Sequence, residues 1–356
     1  MPRYIFCISA IAVVLQGCGI FLPEYSLNVA APTSADSESM GAAKTYAAAR
    51  SVEINSVSIQ LGAFRLATDV ALLSTAGGAV GAAAFRGTRD LIVGLGLGSA
   101  GTLSVQYLIG LDAKRLLIDN ARIAIGCARQ FAEGMSNLAP PAAVPPAAPA
   151  AVPPAAATLP AINYGISAST NMNNFATVLR GIAAPAAVPP AAVPPGAVPP
   201  ALPALGNLAN IMTLTATSQK AAIDSADAAF KSTSANAPSW LANTAHLIIL
   251  QTIKLFHSTE PAGQDIVAFV TTKAQNALSS AQTAAKSAKD TTQKSIATVS
   301  AVQDIAASTT TDVTQKASVQ TAAQASQSDL TNTDKLMGTS IDEILQIQQD
   351  CAKVSR

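Results

Sequence analysis

The chain has 356 residues, and its 22 Lys and Arg against 21 Asp and Glu leave a formal net charge of +1. That balance offers no basic surface for phosphate neutralisation, which argues against nucleic-acid binding. Charged residues are 12% and aromatics 4%, and 74 alanines make up much of the 49% hydrophobic content. Such a composition suits closely approaching helices and argues against an ordinary globular enzyme.

The first 18 residues place one charge, Arg3, before an apolar run from Tyr4 to Leu15. The run has the length of a signal-peptide core and is too short to span a bilayer. It ends in Leu15-Gln16-Gly17-Cys18, which resembles the lipobox of bacterial lipoproteins. The resemblance covers the signal alone. It implies cleavage after residue 17, lipid on the Cys18 thiol and acylation of the new amino group. Gly19 stands where an Asp would favour inner-membrane retention, so the expected residence is the outer membrane, facing the periplasm. Residues 18–37 then read as a tether. Cys127 and Cys351 remain in a compartment that permits disulfides, and they are expected to pair.

Residues 38–138 read as N-terminal helices. Between Met40 and Ala76, Tyr46, Arg50, Ile54, Val57, Leu61 and Phe64 fall on one helical stripe. A strand reading competes locally, because Val57, Ile59 and Leu61 alternate. Two uncharged stretches follow, Val70–Phe85 and Leu91–Leu111. Gly77 and Gly81, and Gly94 and Gly98, form G-x-x-x-G pairs, a spacing that lets another helix approach closely. They predict a glycine-rich helical hairpin, either buried in a bundle or, over residues 70–111, inserted into a membrane. Leu91–Leu111 is long enough to cross a bilayer. Residues 112–138 continue as an amphipathic helix, with Leu116, Asp119, Ile123 and Gly126 along one edge.

Residues 139–204 are a Pro/Ala-rich low-complexity insertion. Two tracts hold 16 of the 21 prolines, and (Ala/Gly)-Ala-Val-Pro-Pro occurs five times. Fixed φ at each proline predicts polyproline II. The segment between the tracts predicts a weak helix around Asn173–Arg180.

Residues 205–356 read as a C-terminal helical region. Leu205–Ser232 predicts one helix, and Trp240–His257 predicts another, capped by Ser239 after Pro238. Ala274, Ala277, Ala281, Ala284 and Ala288 recur at 3-4 spacing, a heptad seam of small residues. Thr291, Ser295 and Thr298 interrupt it, and Val302 and Ile305 resume its phase. Residues 307–333 are so rich in Ser, Thr and Gln that a helix there needs a partner surface. A final helix is predicted over Asp334–Val354.

No catalytic set emerges. Gly96-Leu-Gly98-Ser-Ala-Gly101 matches a dinucleotide fingerprint in letters, but its flanks predict helices where a strand is required. His246 and His257 lie too far apart to share one ion, and no ligands stand near them at metal spacing. No cofactor, metal or small-molecule substrate is implied. The expectation is therefore an all-α, elongated helical bundle with a glycine-rich hairpin and a long Ala-rich C-terminal region, interrupted by polyproline II. Its expected role is non-enzymatic: a membrane-anchored scaffold or assembly lipoprotein that binds protein partners or itself through helices. The alternative is a pore-forming or membrane-inserting oligomer built on residues 70–111.

Overall fold

The computed structural model describes residues 30–84, 111–138, 158–184, 201–257 and 264–354. The fold is all-α. The helices are α1 (Ser34–Ser37), α2 (Met40–Ala84), α3 (Leu111–Asn137), α4 (Thr158–Ala183), α5 (Ala201–Phe256), α6 (Gln264–Thr309) and α7 (Val313–Val354). The described residues contain no strand. They form two compact units, each discontinuous in sequence.

The larger unit takes in α4, residues 201–244 of α5, residues 268–309 of α6, and α7, together with residues 34–44 and 126–138. Its helices bury residues at heptad spacing. In α5 these are Ala209, Met212, Ala216, Gln219, Ile223, Ala226, Phe230, Thr233 and Ala237. In α7 they are Val319, Ala323, Ser326, Leu330, Thr333, Met337, Ser340 and Ile344. Large side chains alternate with Ala, Ser and Thr, so a thin core can fill without voids. Buried hydroxyls on α7 donate to the carbonyl four residues back, as Thr333 does to Asp329 at 2.7 Å and Ser340 to Leu336 at 3.0 Å.

Four of these helices share one core. Met172, Phe175 and Leu179 of α4 cluster with Ala209, Met212 and Ala216 of α5, Val299 and Val302 of α6, and Val319 and Leu330 of α7. Polar contacts fix the order and direction of the helices. Arg180 Nη2 donates to Thr213 Oγ1 at 2.7 Å, and the α-carbon of Gly165 lies close beneath Ile223. Gln219 joins α5 to Thr292 and Ser295 of α6. Gln327 joins α7 to Ser300 and Gln303 of α6, and Asn171 Nδ2 donates to Asp329 Oδ2 at 2.9 Å. From α4 to α5 (165 and 180 against 223 and 213) and from α6 to α7 (289 and 300 against 338 and 327) rising numbers meet falling numbers, so these neighbours run antiparallel, as in an up-down four-helix bundle.

Two predicted boundaries move. The expected break at Pro238 is absent, and α5 is continuous from Ala201 to Phe256 with Pro238 inside it. Proline lacks the N–H that would meet the Ser234 carbonyl. The helix persists because Thr233, Ala237 and Leu241 on either side are all buried. The last helix starts at Val313 rather than Asp334. Asp312 caps it, its Oδ1 accepting from the N–H groups of Thr314 at 2.7 Å and Gln315 at 3.0 Å. Those two bonds hold its carboxyl below the usual carboxylate range. The weak helix expected around Asn173–Arg180 is 26 residues long and contributes Phe175 and Leu179 to the core.

The smaller unit contains, among the described residues, 30–33, 45–84, 111–125, 245–257 and 264–267. Here α2 and α3 run antiparallel. Ser58 donates to Asp119 at 3.3 Å, Arg122 to Asn55 at 3.3 Å, and Arg65 to Asp112 at 2.6 Å. Tyr46, Arg50, Ile54, Val57 and Leu61 are buried as the helical stripe predicts. On α3 the buried face is Leu117, Ile118, Ala121, Ala124 and Ile125, whereas Leu116 is exposed.

Candidate functional site

Cys18, Gly94 and Gly98 lie outside the described residues, as does Leu91–Gly110 of the long apolar stretch. Gly77 and Gly81 fall within α2, but side chains around them are not among those described. Among the described residues, no helix is long and apolar enough to cross a membrane.

Cys127 is buried and disulfide-bonded. Cys351 sits in the last turns of α7, where side chains lie outside the described set.

The small-residue seam on α6 takes a different second column from the predicted one. Ala274, Ala281 and Ala288 are buried. Ala277 and Ala284 are half-buried, and Leu278 and Ala285 occupy the core instead. The buried phase then runs on through Thr292, Ser295, Val299, Val302 and Ala306. Both columns are four or three residues from the shared alanines, so either could complete the heptad. The core takes the one that carries Leu278 and Val299, because these remove more apolar surface from water. Ile305, in the other column, is exposed.

Ser295, expected as an interruption, is part of a buried polar layer. Gln219 Nε2 donates to Thr292 Oγ1 at 2.9 Å, and Ser295 Oγ donates to Gln219 Oε1 at 3.2 Å. Thr292 in turn donates to the Ala288 carbonyl at 2.8 Å. A single satisfied polar layer in an apolar seam penalises every helix offset that would unpair it. Thr291 and Thr298 flank an open groove of about 340 Å³, lined also by Leu214, Thr215, Ser218, Lys294 and Ser295.

In the smaller unit one cluster ties the tether to the helices. The Ala30 carbonyl accepts from the Tyr46 hydroxyl at 3.1 Å and from Arg50 Nη2 at 3.3 Å. The Arg50 guanidinium lies 4.7 Å above the Tyr46 ring centre. Its Nη1 also donates to both carboxylate oxygens of Glu53, at 3.0 and 2.8 Å. His246 belongs to the same unit. Burial and, secondarily, the Arg50 charge hold its imidazole below the usual histidine range, and its buried Nδ1 has no hydrogen-bond partner among the described residues. His257, at the end of α5, packs edge-on against Phe256 at 5.9 Å. The described residues hold no group of three His, Cys, Asp or Glu spaced to bind a metal ion.

The Arg50 cluster and the polar layer were not singled out in the sequence. Tyr46, Arg50 and Glu53 at helical spacing carried a signal for the first. The partner of Gln219 lies more than 70 residues away, so no local pattern reveals the second. No protein-family model matches the chain, and comparisons with curated proteins and with solved structures found no match.

Proposed function

We propose that the chain is a lipid-anchored lipoprotein of the cell envelope, held at the outer membrane and facing the periplasm. In this reading it serves a structural, scaffold or assembly role through helix packing and performs no catalysis. The observation that carries the reading is the pattern of heptad-spaced Ala, Ser and Thr faces along α5, α6 and α7. These faces are buried within the bundle, where they hold its own long helices close and suit the chain to a structural role. The Leu15-Gln16-Gly17-Cys18 signal supplies the address. Several acyl chains on one residue, at about 0.8 kcal/mol per buried CH₂, would anchor it stably. The bonded state of Cys127 fits an oxidising compartment. Ala30, twelve residues beyond Cys18, is fastened to Tyr46 and Arg50, which suits a short leash between lipid and fold.

The test is Cys18→Ser in the native host. The unchanged chain is expected in the membrane fraction at its processed size. The variant is expected to accumulate unprocessed and to lose detergent-dependent extraction. Identical processing and fractionation of the two chains would overturn the reading.

A further inference from the structure

The outer face of α2 carries a second seam that nothing in the described chain covers. Val52, Ile59, Leu66 and Leu73 are 67%, 65%, 66% and 70% exposed and stand seven residues apart. Val70, at 56%, lies between the last two. With exposed Ser56 and Ala63, the spacing from 52 to 73 is an unbroken 4-3-4-3-4-3. We infer that this face is the interface for a second copy of the chain, its α2 packed antiparallel on the first through Val52–Leu73.

The period identifies the occupant as a helix. A strict seven-residue repeat makes a narrow strip matched to the groove of another helix. A helix lying in a bilayer surface needs a broader apolar face flanked by basic residues. Here Glu53, Gln60, Arg65 and Asp69 border the strip, and Gln60 is exposed.

Side-chain size identifies the partner as an inverted copy. In antiparallel pairing with residue numbers summing to 129, Ser56 meets Leu73, Ala63 meets Leu66 and Ile59 meets Val70. Each of the two small residues then receives a leucine. Parallel pairing would set serine on serine and leucine on leucine, giving alternate gaps and crowding. The flanks agree with inversion. Gln60 meets Asp69, so no like charges face each other there. A two-fold axis across the strip closes the assembly at two copies.

In this register the mutually paired part, Ser56–Leu73, is about 26 Å long on a helix about 10 Å across. Paired, it buries on the order of 1,000 Å², the threshold of a specific interface. This inference deepens the scaffold reading by naming a partner, but its geometry does not depend on the lipid.

The test is oxidative crosslinking of the full chain in its native envelope. Ser56→Cys with Leu73→Cys in one chain is expected to give a disulfide-linked dimer. Neither single substitution should, because each cysteine lies about 26 Å along the helix from its own counterpart. Adding Ile59→Glu and Leu66→Glu should reduce the dimer at least tenfold, with helicity by circular dichroism unchanged. Dimers from the single-cysteine chains would overturn the inference in favour of parallel packing. Absence of a dimer, a crosslinked product of another mass, or a dimer that survives both glutamates would each overturn it. Repeating the experiment with Cys18→Ser separates the two readings. A persisting dimer with lost membrane association leaves the interface standing whatever the anchor.

Discussion

At the scale of single residues, the buried Gly165 and the exposed Gly126 show what a missing side chain does. A Cβ on Gly165 would lie 2.6 Å from Ile223 Cγ1 and closer still to its Cδ1. Ile223 is fully buried and has little room to move. Gly165→Ala is expected to lower stability by about 1–3 kcal/mol through overpacking, and Ile223→Ala, which costs about 2–5 kcal/mol by itself, should cost less in that background because the clash is gone. Gly126 has open space where its Cβ would stand. Gly126→Ala should raise stability by about 0.5–1 kcal/mol by removing backbone freedom from the unfolded chain. Urea unfolding midpoints check all three. His246 gives the chain a pH response with a definite sign. Burial and Arg50 lower its folded pKa below the ordinary histidine value of 6.5, so the unfolded chain binds the proton more readily. Stability from this group is fully present above pH 6.5 and declines as the pH falls below it. Thermal melts between pH 7.5 and 5 should show that decline, and His246→Gln should flatten it.

At the scale of elements, the question is what keeps neighbouring helices in one register when so many contact residues are alanine. Small side chains interlock weakly, so sliding by one heptad costs little apolar contact. The Gln219, Thr292 and Ser295 layer raises that cost. Gln219→Leu is expected to destabilise by about 1–3 kcal/mol, because it strands buried hydroxyls. A triple change with Thr292→Val and Ser295→Ala should restore the loss, since a matched apolar layer can replace a polar one. Denaturant titrations of the three chains decide this. The same weak interlocking explains what could be read in advance. The seam on α6 was legible as a heptad of alanines, but its second column was not. Ala277 and Ala284 against Leu278 and Ala285 differ by a single leucine in the first two turns. The start of α7 was legible and overlooked, because Asp312 and Gln315 stand at capping-box spacing. Pro238 misled because one strong local signal outweighed the seam phase running through Phe230, Thr233, Ala237 and Leu241. The alternation of Val57, Ile59 and Leu61, which suggested a strand, has a simple origin. Val57 and Leu61 face the core, while Ile59 belongs to the exposed strip on the other side of the same helix.

At the scale of the molecule, the all-helical fold followed from composition. The division into two units did not, because both are assembled from separate stretches of chain. Their boundaries fall inside α2, α3, α5 and α6, where the sequence carries no change of composition. The residence test on Cys18 and the pairing test on α2 bear on different properties of the whole chain, so either can fail alone. Few charges take part in holding the larger unit together. Among the described residues, the ion pairs Lys44–Glu133, Lys220–Asp224 and Lys231–Asp227 are largely exposed and contribute little, while the interior of the larger unit is filled by hydrocarbon and hydroxyl groups. Forces of that kind are almost indifferent to dissolved electrolyte. A body assembled this way keeps its grip whether the fluid around it is dilute or briny, which would suit the envelope residence proposed above.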